Sequence, residues 1–178
     1  MSTPWNDWYH VTVHTYGSWL RGDPRGWRAR HHREHVDGDY KRPPPKGIYD
    51  ELHAHSKSLM TREAVRINVD LRQTVVDAIV DKLLGDGIEI IVASLDGNHL
   101  HLLVRFRDHQ PRHWVGRAKK HASHFLRQNG LRDEEGGLWG KRSKIESIKD
   151  RRHQLNSFRY ILDHQDRGAA IWRFDRKK

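Results

Sequence analysis

Residues 94–106 read SLDGNHLHLLVRF, and this stretch constrains the fold more tightly than any other part of the chain. Successive side chains of a β-strand point to opposite faces, so Leu100, Leu102, Val104 and Phe106 fall on one side and His99 and His101 on the other. The first face must be buried under an apolar layer. The second presents two imidazoles side by side. The preceding IEIIVASL segment is β-branched and apolar, and DGNH is a short turn, so the two segments form an antiparallel hairpin.

The flanking sequence extends this hairpin into a sheet with helices. In WYHVTVHTY, Tyr9, Val11 and Val13 alternate with His10, Thr12 and His14, the pattern of a half-buried strand. INVDLRQTVVDAIVDKLLGDG places Leu71, Val75, Ala78, Ile79 and Leu83 at helical spacing, with Asp70 and Gln73 as a capping box and Gly85 and Gly87 ending the run. HWVGRAKKHASHFLRQNG is a second amphipathic helix, with Trp114, Ala118, Ala122, Phe125 and Leu126 inward and Lys119, Lys120 and Arg127 outward. SKIESIK is a short strand, and RRHQLNSFRYILDHQ a third helix. The order is strand, loop, helix, strand, strand, helix, strand, helix. It predicts an α+β fold, a ferredoxin-like antiparallel sheet with helices packed on one face.

The 178 residues are one domain's worth, interrupted by a long loop or arm over about 17–60. That arm is rich in glycine, proline and charge, with a triple proline at Pro43, Pro44 and Pro45 that neither a helix nor a central strand accommodates. Trp19, Trp27 and Tyr40 stand there among Arg21, Arg25, Arg28, Arg30 and Arg33, a composition suited to stacking on bases and holding phosphates. It is equally that of a solvated loop pinned by its aromatics. The cluster His31, His32 and His35 in the same arm has weak metal-binding potential.

Charge indicates the partner. Lys and Arg number 33 against 23 Asp and Glu, a formal net charge of +10. Such a balance favours a polyanion, nucleic acid first, because neutralising phosphates releases counterions. No run of about 18 apolar residues is present, and MSTPWNDWYH has no signal-peptide pattern, so a cytoplasmic protein away from membranes is expected. Cysteine is absent, which removes thiolate metal sites and cysteine nucleophiles and leaves the 15 histidines as the natural ligands.

Two histidines on a strand face are compatible with a plain polar sheet surface. The third helix adds weight to a chemical role. Around its axis Leu155, Phe158, Ile161 and Leu162 fall on one side, while His153, Asn156, Tyr160 and His164 form a polar stripe with Tyr160 and His164 one turn apart. If this helix crosses the sheet face that carries His99 and His101, three imidazoles and a phenol converge. Such a set suits phosphoryl transfer, with a divalent metal clamping the phosphate and the phenol attacking phosphorus. A phenol with a pKa near 10 needs a positive field, which the metal and the nearby Arg159 and Lys149 can supply.

GNHLHLLV resembles the histidine–hydrophobic–histidine signature of HUH single-strand nucleases. GLWGKRSKIESIKD, followed by FRYILDHQ, resembles the single-tyrosine transposases of the insertion-sequence-200-like and REP-associated type. The resemblance runs over about 65–172, with residues 8–15 fitting the first strand. It implies the HUH endonuclease fold and a frequently dimeric enzyme that cleaves and rejoins single-stranded DNA near hairpins with Mg²⁺ or Mn²⁺. The 5′ phosphate is joined to the tyrosine in a phosphotyrosine intermediate. On this sequence it assigns His99 and His101 to the metal and Tyr160 to nucleophilic attack. The family often has glutamine one turn after the tyrosine as third ligand, whereas here that position is His164 and the glutamine is Gln165. His164 is the preferred third ligand, a substitution that would shift metal preference toward softer ions.

Lys119, Lys120, Arg127, Lys141 and Arg142 are the candidates for DNA phosphate contacts. Two other readings use the same residues: a catalytically silent nucleic-acid-binding protein on this fold, and a metal phosphodiesterase in which water attacks and Tyr160 is incidental.

Overall fold

The computed structural model describes residues 4–25, 27, 45–133 and 135–175, and its chain divides into two compact units. One comprises residues 1–15 and 66–178, the other residues 16–65. Positions Arg28, Arg30, Arg33, Tyr40 and the His31, His32 and His35 cluster lie outside the described residues.

The larger unit is built on β1 (Trp8–Thr15), α2 (Val69–Gly85), β2 (Glu89–Leu95), β3 (His99–Arg105), α3 (Pro111–Gln128), β4 (Trp139–Ser147), α4 (Arg151–Leu162) and β5 (Ala170–Arg173). Its sheet is antiparallel in the order β4-β1-β3-β2-β5. The first four strands and the two helices between them follow the expected ferredoxin-like plan. The short strand β5 then extends the β2 edge. Four residues flanked by Gly168 and charged positions carry too little periodicity to be read as a strand from sequence.

Alternation sorts the two faces. Tyr9, Val11, Val13, Leu100, Leu102 and Val104 are buried on one face, which α2 and α3 cover through Val75, Ile79, Leu83, Val115, Ala118, Ala122 and Leu126. On the other face Val92 and Leu103 pack with Ile148 and Ile161, all four wholly excluded from solvent, and Phe158 and Leu162 of α4 close over them. The α+β class is as expected, but helices cover both faces. The reason is that β2 and β3 carry apolar side chains on each side, and a single helical layer would leave half of them in water.

Local details depart from the sequence reading where polar partners compete with periodicity. Asn68, not Asp70, is the N-cap of α2, and Gln73 Nε2 donates to Asp77 instead of closing a capping box. The far end of α2, at Gly85, is closed off by Gly87, whose φ of 76° allows Ile88 N to bond Leu83 O. Trp114 is half-buried, its indole N–H bonding Asp108 and Arg117 lying over its ring. Along α4 the buried face is Gln154, Ser157 and Ile161, and Leu155 is exposed, as Arg151 satisfies the Gln154 amide oxygen.

The smaller unit holds α1 (Asp50–Ser58), a helix with no buried residue and hence no apolar stripe to announce it. Trp27 is buried there with its ring 5.4 Å from Tyr49, Arg21 lies over Trp27, and Arg25 lies over Trp19 while its guanidinium grips Asp23. The Trp27 ring is therefore spent on internal packing. Among the described residues of the chain, no helix is long and apolar enough to cross a membrane.

Candidate active site

Pairing of β1 with β3 sets Thr12 opposite His101 and His14 opposite His99. Directly paired residues share a face, so the two-imidazole platform becomes a wider one that includes His10, Thr12 and His14. The ring of His14 stands 4.8 Å from that of His99, edge-on.

His99 is fixed by the turn before it. Asp96 accepts from the backbone N–H of Asn98 and of His99 through Oδ1, and its Oδ2 lies 3.0 Å from His99 Nδ1. Burial alone would push this carboxyl up, but the His99 ring and the two backbone donors outweigh it and hold Asp96 well below the usual carboxylate range. His101 is buried, and its Nδ1 lies 3.2 Å from His10 Nε2 and 3.3 Å from Thr12 Oγ1.

The third element is α4, whose start is capped by Asp150 accepting from His153 N. Its apolar side packs on Leu103 and Val92, which lays the helix across the histidine face. Tyr160 keeps 37% of its surface exposed, and its ring lies 5.5 Å from His101, 5.8 Å from His10 and 4.8 Å from His164. The helix ends at Leu162, before the predicted limit. His164 follows on the turn, buried, with its ring 4.6 Å from His101 and its Nδ1–H donating to the Tyr160 carbonyl at 2.8 Å. Gln165 begins a short 3-10 turn and is exposed.

In His99, His101 and His164 alike, it is Nδ1 that protein groups hold. That is the arrangement of metal-binding histidines, whose other nitrogen then meets the ion. Their chemistry fits a borderline divalent cation. Among the described residues, however, no three His, Asp or Glu side chains already stand at ligating separation, and the His99 and His101 rings are 6.4 Å apart. Ion binding would have to draw the rings together.

The basic residues lie elsewhere. Lys120 and Arg127 on α3, and Lys141 and Arg142 on the edge strand β4, are exposed. Charges on an edge strand also guard it against pairing with another chain. Lys119 does not project outward: its ammonium donates to the Gly140 carbonyl at 2.7 Å, and burial pulls its pKa down. Sequence reasoning left out His10, Thr12 and Asp96. The alternation of β1 placed His10 and Thr12 on one face, but only the strand register shows that the face is this one.

Burial lowers the His10 pKa from 6.5 to about 4, the attraction of Glu146 only partly opposing it, and burial and then the neighbouring His10 hold His101 well below its ordinary value. Both imidazoles are neutral at pH 7, the form that ligates metals. Because the folded state takes up these protons less readily than the unfolded chain, stability is full above pH 6.5 and falls as pH drops toward 4. At about 1.4 kcal/mol per pH unit, the loss from His10 is on the order of 3 kcal/mol. Urea unfolding in chelator at pH 7.5, 5.5 and 4.5 measures it; a His10→Phe variant with an undiminished slope would reject this assignment.

Comparison with known proteins bears on the family and the fold. A family profile described as "Transposase IS200 like" matches residues 49–164. Among curated protein sequences, none matches the chain. A solved structure, "Structure of the REP associates tyrosine transposase bound to a REP hairpin", superimposes with a TM-score of 0.52 at 13% identity, covering 94% of this chain and 73% of that one. At that identity the likeness concerns the fold.

Proposed function

The chain belongs to the IS200-like transposase family, and from that premise we propose that it cleaves and rejoins single-stranded DNA through a covalent 5′-phosphotyrosine on Tyr160. The observation that carries the proposal is the placement of the Tyr160 ring beside His101 and His164 on the face that also bears His99. His99, His101 and His164 would hold Mg²⁺ or Mn²⁺ through Nε2. A divalent ion so bound supplies charge stabilisation to the non-bridging phosphate oxygens.

The chain's own residues do the rest. The Tyr160 oxygen attacks phosphorus and loses its proton, the P–O3′ bond breaks, and the 3′ oxygen leaves as a hydroxyl after gaining a proton. The 5′ phosphate stays on the phenol oxygen. Attack by a 3′ hydroxyl reverses the step and rejoins the strand. Lys120, Arg127, Lys141 and Arg142 hold the DNA backbone as sequence-independent phosphate contacts, while the Lys119 ammonium stays on the Gly140 carbonyl. The substrate in this reading is hairpin-containing single-stranded DNA, the working form a homodimer and the compartment the cytoplasm. His164, buried beside His101, is the third ligand in preference to the exposed Gln165.

The test is incubation of the full chain with labelled single-stranded hairpin oligonucleotides and Mn²⁺ or Mg²⁺, followed by denaturing electrophoresis. A protein-linked labelled band that disappears with EDTA is the expected result. Cleavage without that band would assign the attack to water, and binding with neither would leave a silent DNA-binding protein.

A further inference from the structure

Residues 8–15, strand β1, lie outside the matched segment, yet they supply the groups that touch the most buried histidine of the site. A neutral imidazole carries one N–H, and its other nitrogen is a lone-pair donor to a metal. For His101 to ligate through Nε2, its proton must reside on Nδ1. Nδ1 in turn must find acceptors, because an N–H at this depth without one is costly. The His10 Nε2 at 3.2 Å and the Thr12 hydroxyl at 3.3 Å are those acceptors, and together they share one hydrogen. Both reach His101 because its position pairs directly with Thr12, and His10 lies two residues along on the same face.

We propose that His10 and Thr12 are positioning residues that accept the His101 Nδ1–H and so hold His101 in the tautomer whose Nε2 faces a metal. This inference rests on the metal-dependent reading above. It adds that His10 must itself carry its proton on Nδ1, leaving Nε2 as an acceptor. An opposite arrangement, with His10 Nε2–H donating, would place the His101 proton on Nε2 and block ligation there.

Histidine ¹⁵N NMR of the metal-free protein at pH 7.5 reads the tautomers directly, and Mn²⁺ titration reads their consequence. The wild type is expected to show His101 protonated on Nδ1. His10→Phe combined with Thr12→Val should move His101 toward the Nε2–H form and weaken Mn²⁺ binding about 10- to 100-fold, the usual cost of losing such support. His10→Gln, whose amide oxygen can accept, should recover much of the affinity. Thr12→Val alone, close in shape to the native side chain, serves if the double variant melts too early to be measured. An Nε2–H His101 in the wild type, or an Nδ1–H unmoved by the double variant and by Thr12→Val, would overturn the inference. A wild type that binds no Mn²⁺ would overturn the metal reading instead, and the NMR tautomers would still decide how His101 is held.

Discussion

Tyr160→Phe is expected to abolish the protein–DNA adduct and to lower strand cleavage by at least about 1,000-fold, because it removes the oxygen proposed to attack phosphorus and keeps the ring. The phenyl ring keeps its place against His101, His10 and His164. With 37% of the residue exposed, stability should change by no more than about 0.5 kcal/mol. Hairpin binding should stay within a few-fold, since the residues proposed for phosphate contact lie on α3 and β4. Cleavage and binding measured on the same preparation separate these effects. A variant that still forms the adduct would take the nucleophile away from Tyr160, and one that still cleaves without an adduct would return the chemistry to water.

His101→Ala should lower metal-dependent cleavage by a comparable factor, at least about 1,000-fold, for a different reason. It removes a proposed ligand from the middle of the set, and a metal's charge stabilisation of a phosphoryl group is worth several kcal/mol. Added Mn²⁺ should restore little of it. Gln165→Ala should stay within about two-fold of wild type and His164→Ala should not, because His164 is buried beside His101 whereas Gln165 is exposed. Cleavage rates against Mn²⁺ concentration, with thermal melts to confirm folding, decide the matter. Wild-type rates in His101→Ala would show that the ion, if one is used, binds elsewhere.

These two residues illustrate what could be read before the fold was known. Tyr160 stood out because it interrupts the apolar pattern of its helix, and His101 because it interrupts that of its strand. Leu155 misled for the complementary reason: periodicity counts apolar residues, and α4 buries Gln154 through its bond with Arg151 in a place where a Leu would be expected. Helix α1 had no apolar stripe to read, and β5 had too few residues. Lys119 looks like a surface cation until Gly140, twenty-one positions away in sequence, supplies its acceptor.

Local geometry follows from local sequence, so the period of a strand put His99 and His101 on one face, and the period of a helix put Tyr160 and His164 within a turn of each other. The turn residues DGN likewise made the hairpin legible, since Asp96 bonds its near neighbours Asn98 and His99. What the tertiary structure alone decided is which strand lies beside β3, in what register, and where α4 comes to rest. Those outcomes depend on burying Val92, Leu103, Ile148 and Ile161 together, from elements far apart in the chain. A slip of one residue between β1 and β3 would turn His10 and Thr12 to the opposite face, and no local pattern excludes that slip. The tyrosine, the histidines and the groups that orient them were all visible as residues, but their meeting was set by the packing of the core.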